Sequence, residues 1–136
     1  MEYLLDANAV IALLNSVDSK VAKQARLHEP ADVGISAIVT HELYYGAFKS
    51  RRVLQNVVLI DDLKFEVLDF DREDARHAGE IRAFLSAKGI PIGPYDVLIA
   101  GQARARDLTL VTHNLREFRR VPNLRLEDWE TTRAGK

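Results

Sequence analysis

The chain has 136 residues, of which 47% are hydrophobic and 29% are charged, and its formal net charge is -1. This balance is typical of a globular protein and excludes one that coats nucleic acid through bulk positive charge, so a polyanion would have to be held by a local basic patch or through bound cations. The sequence has no cysteine, no signal-peptide pattern and no apolar run near the roughly 20 residues that span a bilayer, which excludes a disulfide scaffold and a membrane protein and favours the cytoplasm.

Short apolar runs alternate with amphipathic stretches along the chain, which predicts an α/β fold with a mostly parallel sheet in a single domain over residues 1–136. In chain order, the first half predicts a strand at 2–6, a helix capped by Asn8 that runs to about residue 15, a helix at 20–28, a strand at 33–35, a helix capped by Ser36 and a helical stretch at 53–62. The second half predicts a strand at 65–69, a helix at 72–88 closed by Gly89, a helix that begins near Asp96, a strand at 108–112, a helical turn at 114–118 and an edge strand at 124–126. A short polar tail follows from about residue 130.

Three carboxylates occupy positions where a folded protein normally places apolar side chains. Asp6 ends the first predicted strand, Glu42 lies within a predicted helix, and Asp96 opens another. At three- and four-residue spacing, the helical neighbours are Ile38, Val39, Tyr45 and Gly46 for Glu42, and Ile99, Ala100 and Ala103 for Asp96. Because ionised acids rarely point inward unless a cation meets them, their combined placement indicates a functional site.

Each acid also has a purely structural interpretation. Asp6 before Asn8 is compatible with turn chemistry at a strand-to-helix junction, and Asp96 with an acid that complements the helix dipole. Glu42 is compatible with a buried ion pair to an arginine or lysine. Three separate structural causes explain the joint appearance of three inward-facing acids less readily than one shared site does.

The predicted topology brings these side chains together. In α/β sheets, ligands bind beyond the carboxyl ends of the strands, where Asp6 follows one strand and Thr112, His113 and Asn114 follow another. Clustered carboxylates repel one another, so we expect a divalent cation to neutralise them, and all-oxygen ligands favour Mg²⁺ or Mn²⁺. The histidines show no zinc-binding spacing; they are His28, His41, His77 and His113.

Four short segments carry a family resemblance, namely Leu4-Leu5-Asp6-Ala7-Asn8, Ile35-Ser36 ahead of Thr40-His41-Glu42-Leu43, Gly93-Pro94-Tyr95-Asp96, and Val111-Thr112-His113-Asn114-Leu115-Arg116-Glu117-Phe118. In this order and spacing they resemble the PIN domain. More narrowly, the chain resembles the VapC-type ribonuclease toxins of prokaryotic toxin–antitoxin pairs. The resemblance covers essentially the whole chain, as far as Leu126-Glu127-Asp128-Trp129.

The resemblance implies a three-layer α/β/α PIN-like fold and endonucleolytic cleavage of RNA that depends on Mg²⁺, with Mn²⁺ as a substitute. It places Asp6, Glu42 and Asp96 as the catalytic acids that also bind the metal. The family often has a fourth acid after the fourth strand. In the corresponding segment this chain has Asn114, which is the candidate for a catalytic role, and Glu117 follows three residues later. The number of bound metal ions therefore stays open. It further implies an RNA substrate, a cognate antitoxin and a homodimer. Ala7 departs from the Thr or Ser usual in the family.

The residues available for substrate contacts are Asn8, Arg51, Arg52, His113 and Arg116. Three other functions stay open on the sequence alone: a PIN nuclease of RNA processing that is not a toxin, a Mg²⁺-dependent α/β phosphatase with an aspartate nucleophile, and a non-catalytic interaction domain. Phosphatase chemistry commonly requires a second aspartate two residues after the first, where this chain has Asn8. The sequence does not specify which RNA is cut.

Overall fold

A parallel β-sheet with helices packed around it forms the framework of the protein, which the computed structural model describes over residues 1–130. The predicted polar tail lies outside the described residues beyond Glu130. The strands are β1 (Tyr3–Leu5), β2 (Val33–Ser36), β3 (Glu66–Leu68), β4 (Thr109–Val111) and β5 (Leu126–Glu127). The helices are α1 (Ala7–Asn15), α2 (Lys20–Ala25), α3 (Ala37–Lys49), α4 (Val53–Asp61), α5 (Arg72–Ala87), α6 (Pro94–Ala105) and α7 (Leu115–Phe118), with a 3-10 turn at Pro30–Asp32. The predicted α/β/α class is confirmed.

The strand order is β3-β2-β1-β4-β5, and every pair of neighbouring strands is parallel. Leu5 is in register with Ile35 of β2 on one side and with Val111 of β4 on the other. After β1, the chain forms β2 on one side of that strand, and it later returns to place β4 on the other side. This reversal of strand order places a crevice at the carboxyl ends of β1 and β4, where ligands bind in open α/β sheets.

The two central strands are buried, as their continuous apolar sequences predict. Leu4, Leu5, Leu110 and Val111 are essentially inaccessible to solvent, because helices cover the sheet on both faces. Among residues 1–130, no helix combines the length and the apolar character needed to cross a membrane.

Local signals set most helix boundaries, with two corrections. Asn8 is not the N-cap of α1, because Asp6 takes that position and its side chain accepts a hydrogen bond from the Ala9 N–H. The second predicted helix is shorter than expected, since α2 ends at Ala25 and tighter turns lead on to the 3-10 turn. Both residue types at the first junction are good caps, so sequence alone did not distinguish them. The Ser36 cap and the positive φ of Gly89 follow the prediction.

Helices α5 and α6 pack closely enough to require glycine at their contact. A Cβ added to Gly101 would lie 2.5 Å from the Ala78 backbone nitrogen, so any larger residue would force the helices apart. At the end of this contact the buried Asp74 accepts hydrogen bonds from Arg106 and Gln102. The pairing fixes the orientation of α6, whose first turn carries Asp96.

Candidate active site

Asp6 lies at the point where the strand order reverses. The backbone N–H of Asp6 donates to the Val111 carbonyl at 3.0 Å, and its Oδ1 accepts from the Ala9 N–H at 2.8 Å. Burial raises the pKa of Asp6, hydrogen bonds from the Thr112 side chain and the Ala9 backbone lower it in part, and the nearby charge of Asp96 raises it again. Its exposed fraction is 6%. Asp6 is therefore both a helix cap and an acid held in a poorly solvated position.

Glu42 projects from the middle of α3, between the buried residues Val39 and Leu43. Its Oε1 atom is buried and, within residues 1–130, has no hydrogen-bond partner. Burial raises the pKa of the Glu42 carboxyl, and the charges of Asp96 and Asp6 add to this effect, while His41 opposes it. A buried carboxylate oxygen without a partner is costly, so this atom is available to a ligand.

Asp96 occupies the first turn of α6, which begins at Pro94. A Cβ on Gly93 would lie 3.0 Å from Asp96 Oδ2, so the glycine lets the carboxyl group fold back against the loop. Burial raises the pKa of Asp96, and the charge of Glu117 raises it further. At a helix N-terminus, the dipole normally stabilises the charged form of an acid and so lowers its pKa. The pKa of Asp96 is raised instead, which indicates a crowded, partly dehydrated carboxyl group.

Asn114 and Glu117 extend this group of polar side chains on the side of β4. The Asn114 N–H donates to Thr112 Oγ1 at 2.9 Å, and its Nδ2 donates to Glu117 Oε2 at 2.8 Å. Asn114 thereby presents its Oδ1 as the remaining acceptor. In the sequence, Glu117 is distinguished only by its position three residues beyond Asn114. The hydrogen bond to Asn114, together with the effect of its charge on the pKa of Asp96, places it beside the three acids.

The three predicted acids differ from the other buried carboxyl group in having no basic partner. Asp74, at 1% exposure, pairs with Arg106 at 3.0 Å. Among the ion pairs of residues 1–130, none includes Asp6, Glu42 or Asp96. The ion-pair explanation for Glu42 therefore has no support in the described part of the chain, and the negative charges of the cluster are left uncompensated.

The chemistry of this cluster fits a hard divalent cation, although its side chains have not converged on a common point. All the candidate ligands are oxygen atoms, and the partnerless Glu42 Oε1 is one of them. No group of three or more His, Asp or Glu side chains in residues 1–130 is already placed so that it could hold a metal ion. Like charges repel, and a cation bound between the carboxylates would offset that repulsion.

The predicted substrate contacts fall into two sets. Asn8 is exposed on the first turn of α1, and Arg116 is exposed beside Glu117 on α7. His113 is exposed after β4, and its Nδ1 lies 3.0 Å from Asp128 Oδ2. That hydrogen bond raises the pKa of His113. The charge of Asp6 adds to this effect on His113, so His113 lies near the acids, whereas Asn8 and Arg116 are near Asp6 and Glu117 in sequence.

Arg51 and Arg52 form the other set, at the junction between α3 and α4. Because Glu42 lies near the middle of α3 and each helical residue rises about 1.5 Å, these two arginines lie on the order of 10 Å or more along the helix from the acids. Their predicted role in substrate binding requires an RNA that extends well beyond the cleaved bond.

Comparison with known proteins agrees with this geometry. The PIN-domain profile matches residues 3–124. The chain is 41% identical over 131 residues to the tRNA(fMet)-specific endonuclease VapC of Salmonella typhimurium, covering 95% of this chain and 98% of that protein. It is 40% identical over 133 residues to Ribonuclease VapC2 of Rickettsia felis, covering 96% and 99% of the two chains. The crystal structure of DNA-bound VapBC from Salmonella typhimurium superposes with a TM-score of 0.90 at 41% identity, over 95% of this chain and 98% of that one. The chain therefore belongs to the PIN-domain family and, within it, to the VapC-type ribonucleases.

Proposed function

We propose that this protein is the toxin of a toxin–antitoxin pair and that it hydrolyses RNA phosphodiester bonds in the cytoplasm with the help of Mg²⁺ or Mn²⁺. The observation that carries the proposal is a cluster of Asp6, Glu42 and Asp96 at the carboxyl edge of the sheet, each with a raised pKa and without a basic partner in residues 1–130. A non-catalytic interaction domain would have no need of this arrangement, which costs folding free energy. The homodimer implied by the family resemblance stays a prediction.

The residues of the site have distinct parts in the proposed reaction. Asp6 and Asp96 would hold the cation, which when bound supplies positive charge to the phosphate and acidity to a coordinated water. Glu42 accepts the proton of the attacking water through its partnerless Oε1, and its raised pKa suits it to hold that proton. Asn114 positions the water through Oδ1 while Glu117 fixes the amide group. The water oxygen bonds to phosphorus as the bond to the leaving oxygen breaks, the leaving oxygen takes a proton from solvent, and Glu42 later returns its proton to solvent.

An assay of RNA cleavage tests the proposal. Because two relatives of 40–41% identity are named tRNA(fMet)-specific endonucleases, we propose initiator tRNA as the first substrate to assay, with total cellular RNA in parallel. We expect fragments with discrete ends in Mn²⁺ and none with a chelator in excess. Cleavage that continues unchanged in chelator, or no cleavage of any RNA, would contradict the proposal.

Bound cation is expected to raise the melting temperature of the free protein. A ligand that binds only the folded state adds about 2.7 kcal/mol of stability at 100 times its Kd, which corresponds to a rise on the order of 5–10 °C in a domain of this size. Mn²⁺ should act more strongly than Mg²⁺, because Mg²⁺ demands a nearly ideal octahedral set of oxygen ligands and Mn²⁺ accepts a less regular one. Thermal melts in chelator, Mg²⁺ and Mn²⁺ measure the effect.

Two variants make this measurement specific. Asp96→Asn should lose most of the shift, whereas Glu66→Gln, at the exposed start of β3, should keep it. Equal shifts in wild type and Asp96→Asn would place the cation elsewhere on the protein.

A groove beside the acids is suited to the partner chain. It has a volume of about 260 Å³, lies between α1, α3 and α4, and includes Glu42 in its lining. Its apolar walls include Ile11 and Leu59, which are 43% and 48% exposed, and Leu54 and Val58 on α4 are also exposed. We propose that a segment of the antitoxin covers this surface and brings a basic side chain to the carboxylates, because a guanidinium group can pair with two of them and exclude the metal.

Co-expression with the protein encoded beside it is expected to yield a complex that does not cleave RNA. Leu59→Asp should weaken this complex and restore cleavage by at least about tenfold, since a buried charge without a partner costs several kcal/mol. Leu27→Asp is the matched control, because Leu27 is 74% exposed and lies outside the groove. A complex that cleaves RNA as fast as the free protein would refute inhibition by this partner.

A further inference from the structure

Two aromatic side chains form a pair next to the acid cluster. The rings of His41 and Tyr95 are 5.2 Å apart between centroids with an interplanar angle of 64°, which is an edge-to-face contact. The pair joins α3 to the first turn of α6. His41 directly precedes Glu42, and Tyr95 directly precedes Asp96, so the same two turns of helix carry both the acids and the rings.

Packing alone does not explain this pair. The Tyr95 side chain is 46% exposed and His41 is exposed as well. Neither ring makes a side-chain hydrogen bond within residues 1–130, so the contact between the two rings is what orients them. An edge-to-face contact orients a ring without covering both of its faces. The pair therefore presents a fixed, accessible aromatic surface at the rim of the cluster.

Tyr95 also borders a second feature, a groove of about 610 Å³ between α5 and α6. Its lining combines apolar residues such as Ile92 and Leu98 with the exposed guanidinium group of Arg82. An aromatic ring beside a cation and an apolar trough is a combination that binds single-stranded nucleic acid, since bases stack on the ring and the cation meets the backbone.

We propose that Tyr95, held in place by His41, stacks on an unpaired nucleobase adjacent to the phosphodiester bond that is cut. The inference rests on the proposed ribonuclease function and requires that the base beside the cut bond be unpaired, because a base inside a duplex cannot reach the ring. Tyr95 is then a substrate-binding residue, and His41 is a positioning residue that acts through it.

The experiment pairs changes in the protein with changes in the RNA. The cut site is first mapped with the unmodified protein on initiator tRNA, and short fluorescein-labelled RNAs that span it are synthesised with an abasic nucleotide on the 5′ or the 3′ side of the bond. Binding is measured by anisotropy in the inactive Asp6→Asn background. Tyr95→Ala should weaken binding of intact RNA by roughly 5- to 150-fold, the usual contribution of one stacked base, whereas Tyr95→Phe should bind within about twofold.

The abasic RNAs distinguish stacking from a structural role. The protein that keeps Tyr95 should bind one of the two abasic RNAs as weakly as Tyr95→Ala binds intact RNA. With that abasic RNA, Tyr95→Ala should cause no further loss of affinity. His41→Ala should give a smaller loss that also disappears with the abasic RNA. Phe84→Ala, a similarly exposed aromatic on α5, is the control and should leave binding unchanged.

Several outcomes would overturn the inference. These are equal affinity for intact and abasic RNAs, a loss on Tyr95→Ala that is the same for both, or cleavage of the annealed duplex as fast as the single strand. If Tyr95→Ala does not fold, two measurements replace it. These are the binding of intact RNA by Tyr95→Leu and the binding of the abasic RNAs by the protein that keeps Tyr95. Failure of the unmodified protein to cut any RNA would instead contradict the proposed function, and this inference with it.

Discussion

Replacing Asp6 or Asp96 by asparagine is expected to abolish RNA cleavage, a loss of at least about 10²–10³-fold, while the fold is kept. The substitution preserves shape and removes one negative charge from the ligand set that would hold the cation. Asparagine caps a helix as well as aspartate does, so the bond from the Ala9 N–H to residue 6 should survive. Initial rates on a mapped RNA substrate measure the loss.

The stability of these variants in chelator separates a functional from a structural role. Removing a charge that repels its neighbours should leave the melting temperature unchanged or slightly higher, because burial already disfavours the ionised form of both acids. Glu66→Gln, which also removes one acid, should retain full activity. Variants that unfold would show that the acids serve the fold, and variants that still cleave RNA would remove them from the reaction.

The largest change in stability is expected from Asp74→Ala. Asp74 is buried, and it accepts hydrogen bonds from Arg106, Gln102 and the Asp71 N–H. Removing it takes the closest carboxylate from the Arg106 guanidinium group and leaves the Gln102 amide and the Asp71 N–H without that acceptor. Breaking a fully buried pair costs 3–5 kcal/mol, and about 2 kcal/mol is expected here because Arg106 stays partly hydrated and keeps its contacts with Asp71 and the Asp69 carbonyl. Urea unfolding measures the change. Arg125→Ala, which breaks the exposed pair with Asp107, should cost less than about 1 kcal/mol.

The Asp74 effect should also depend on pH. Burial by itself would raise the pKa of Asp74, but the hydrogen bonds from Arg106, the Asp71 backbone and Gln102 outweigh it and lower the pKa below the ordinary value. A lowered pKa in the folded state gives stability that is present above the ordinary aspartate pKa and is lost as pH falls through the folded pKa. The difference between wild type and Asp74→Ala should therefore shrink in acid, and a difference that grows in acid would contradict this account.

The inward placement of the three acids could be predicted because its signals are local, whereas their role in catalysis stays a prediction. Asp6 follows an apolar run, Glu42 repeats with apolar residues on one helical face, and Asp96 aligns with Ile99, Ala100 and Ala103, which are buried in the structure. Each pattern spans only a few residues, so spacing alone reveals it. Turn chemistry at the strand-to-helix junction does not exclude a place in the site for Asp6, because one side-chain oxygen caps α1 while the carboxyl group still belongs to the cluster.

Features that depend on distant residues were not predictable in the same way. Asp74 gave no signal of its burial, since Arg106 and Gln102 lie 32 and 28 residues further along the chain. Glu117 was undervalued because its membership of the cluster rests on the approach of α7 to the first turn of α6. The aromatic pair likewise joins residues from two helices that only the tertiary fold brings together.

The strand order has a consequence for the synthesis of the protein on the ribosome. β1 is made first but occupies the centre of the sheet, and its second neighbour, Thr109–Val111, is among the last segments to be made. Until β4 emerges, one edge of β1 is unpaired, and Asp6 lacks the backbone bond to Val111 and the hydroxyl group of Thr112. Because translation adds roughly 5–20 residues per second, an incomplete chain spends seconds without an assembled cluster of acids. A growing chain therefore lacks the complete cluster of acids until its synthesis is nearly finished.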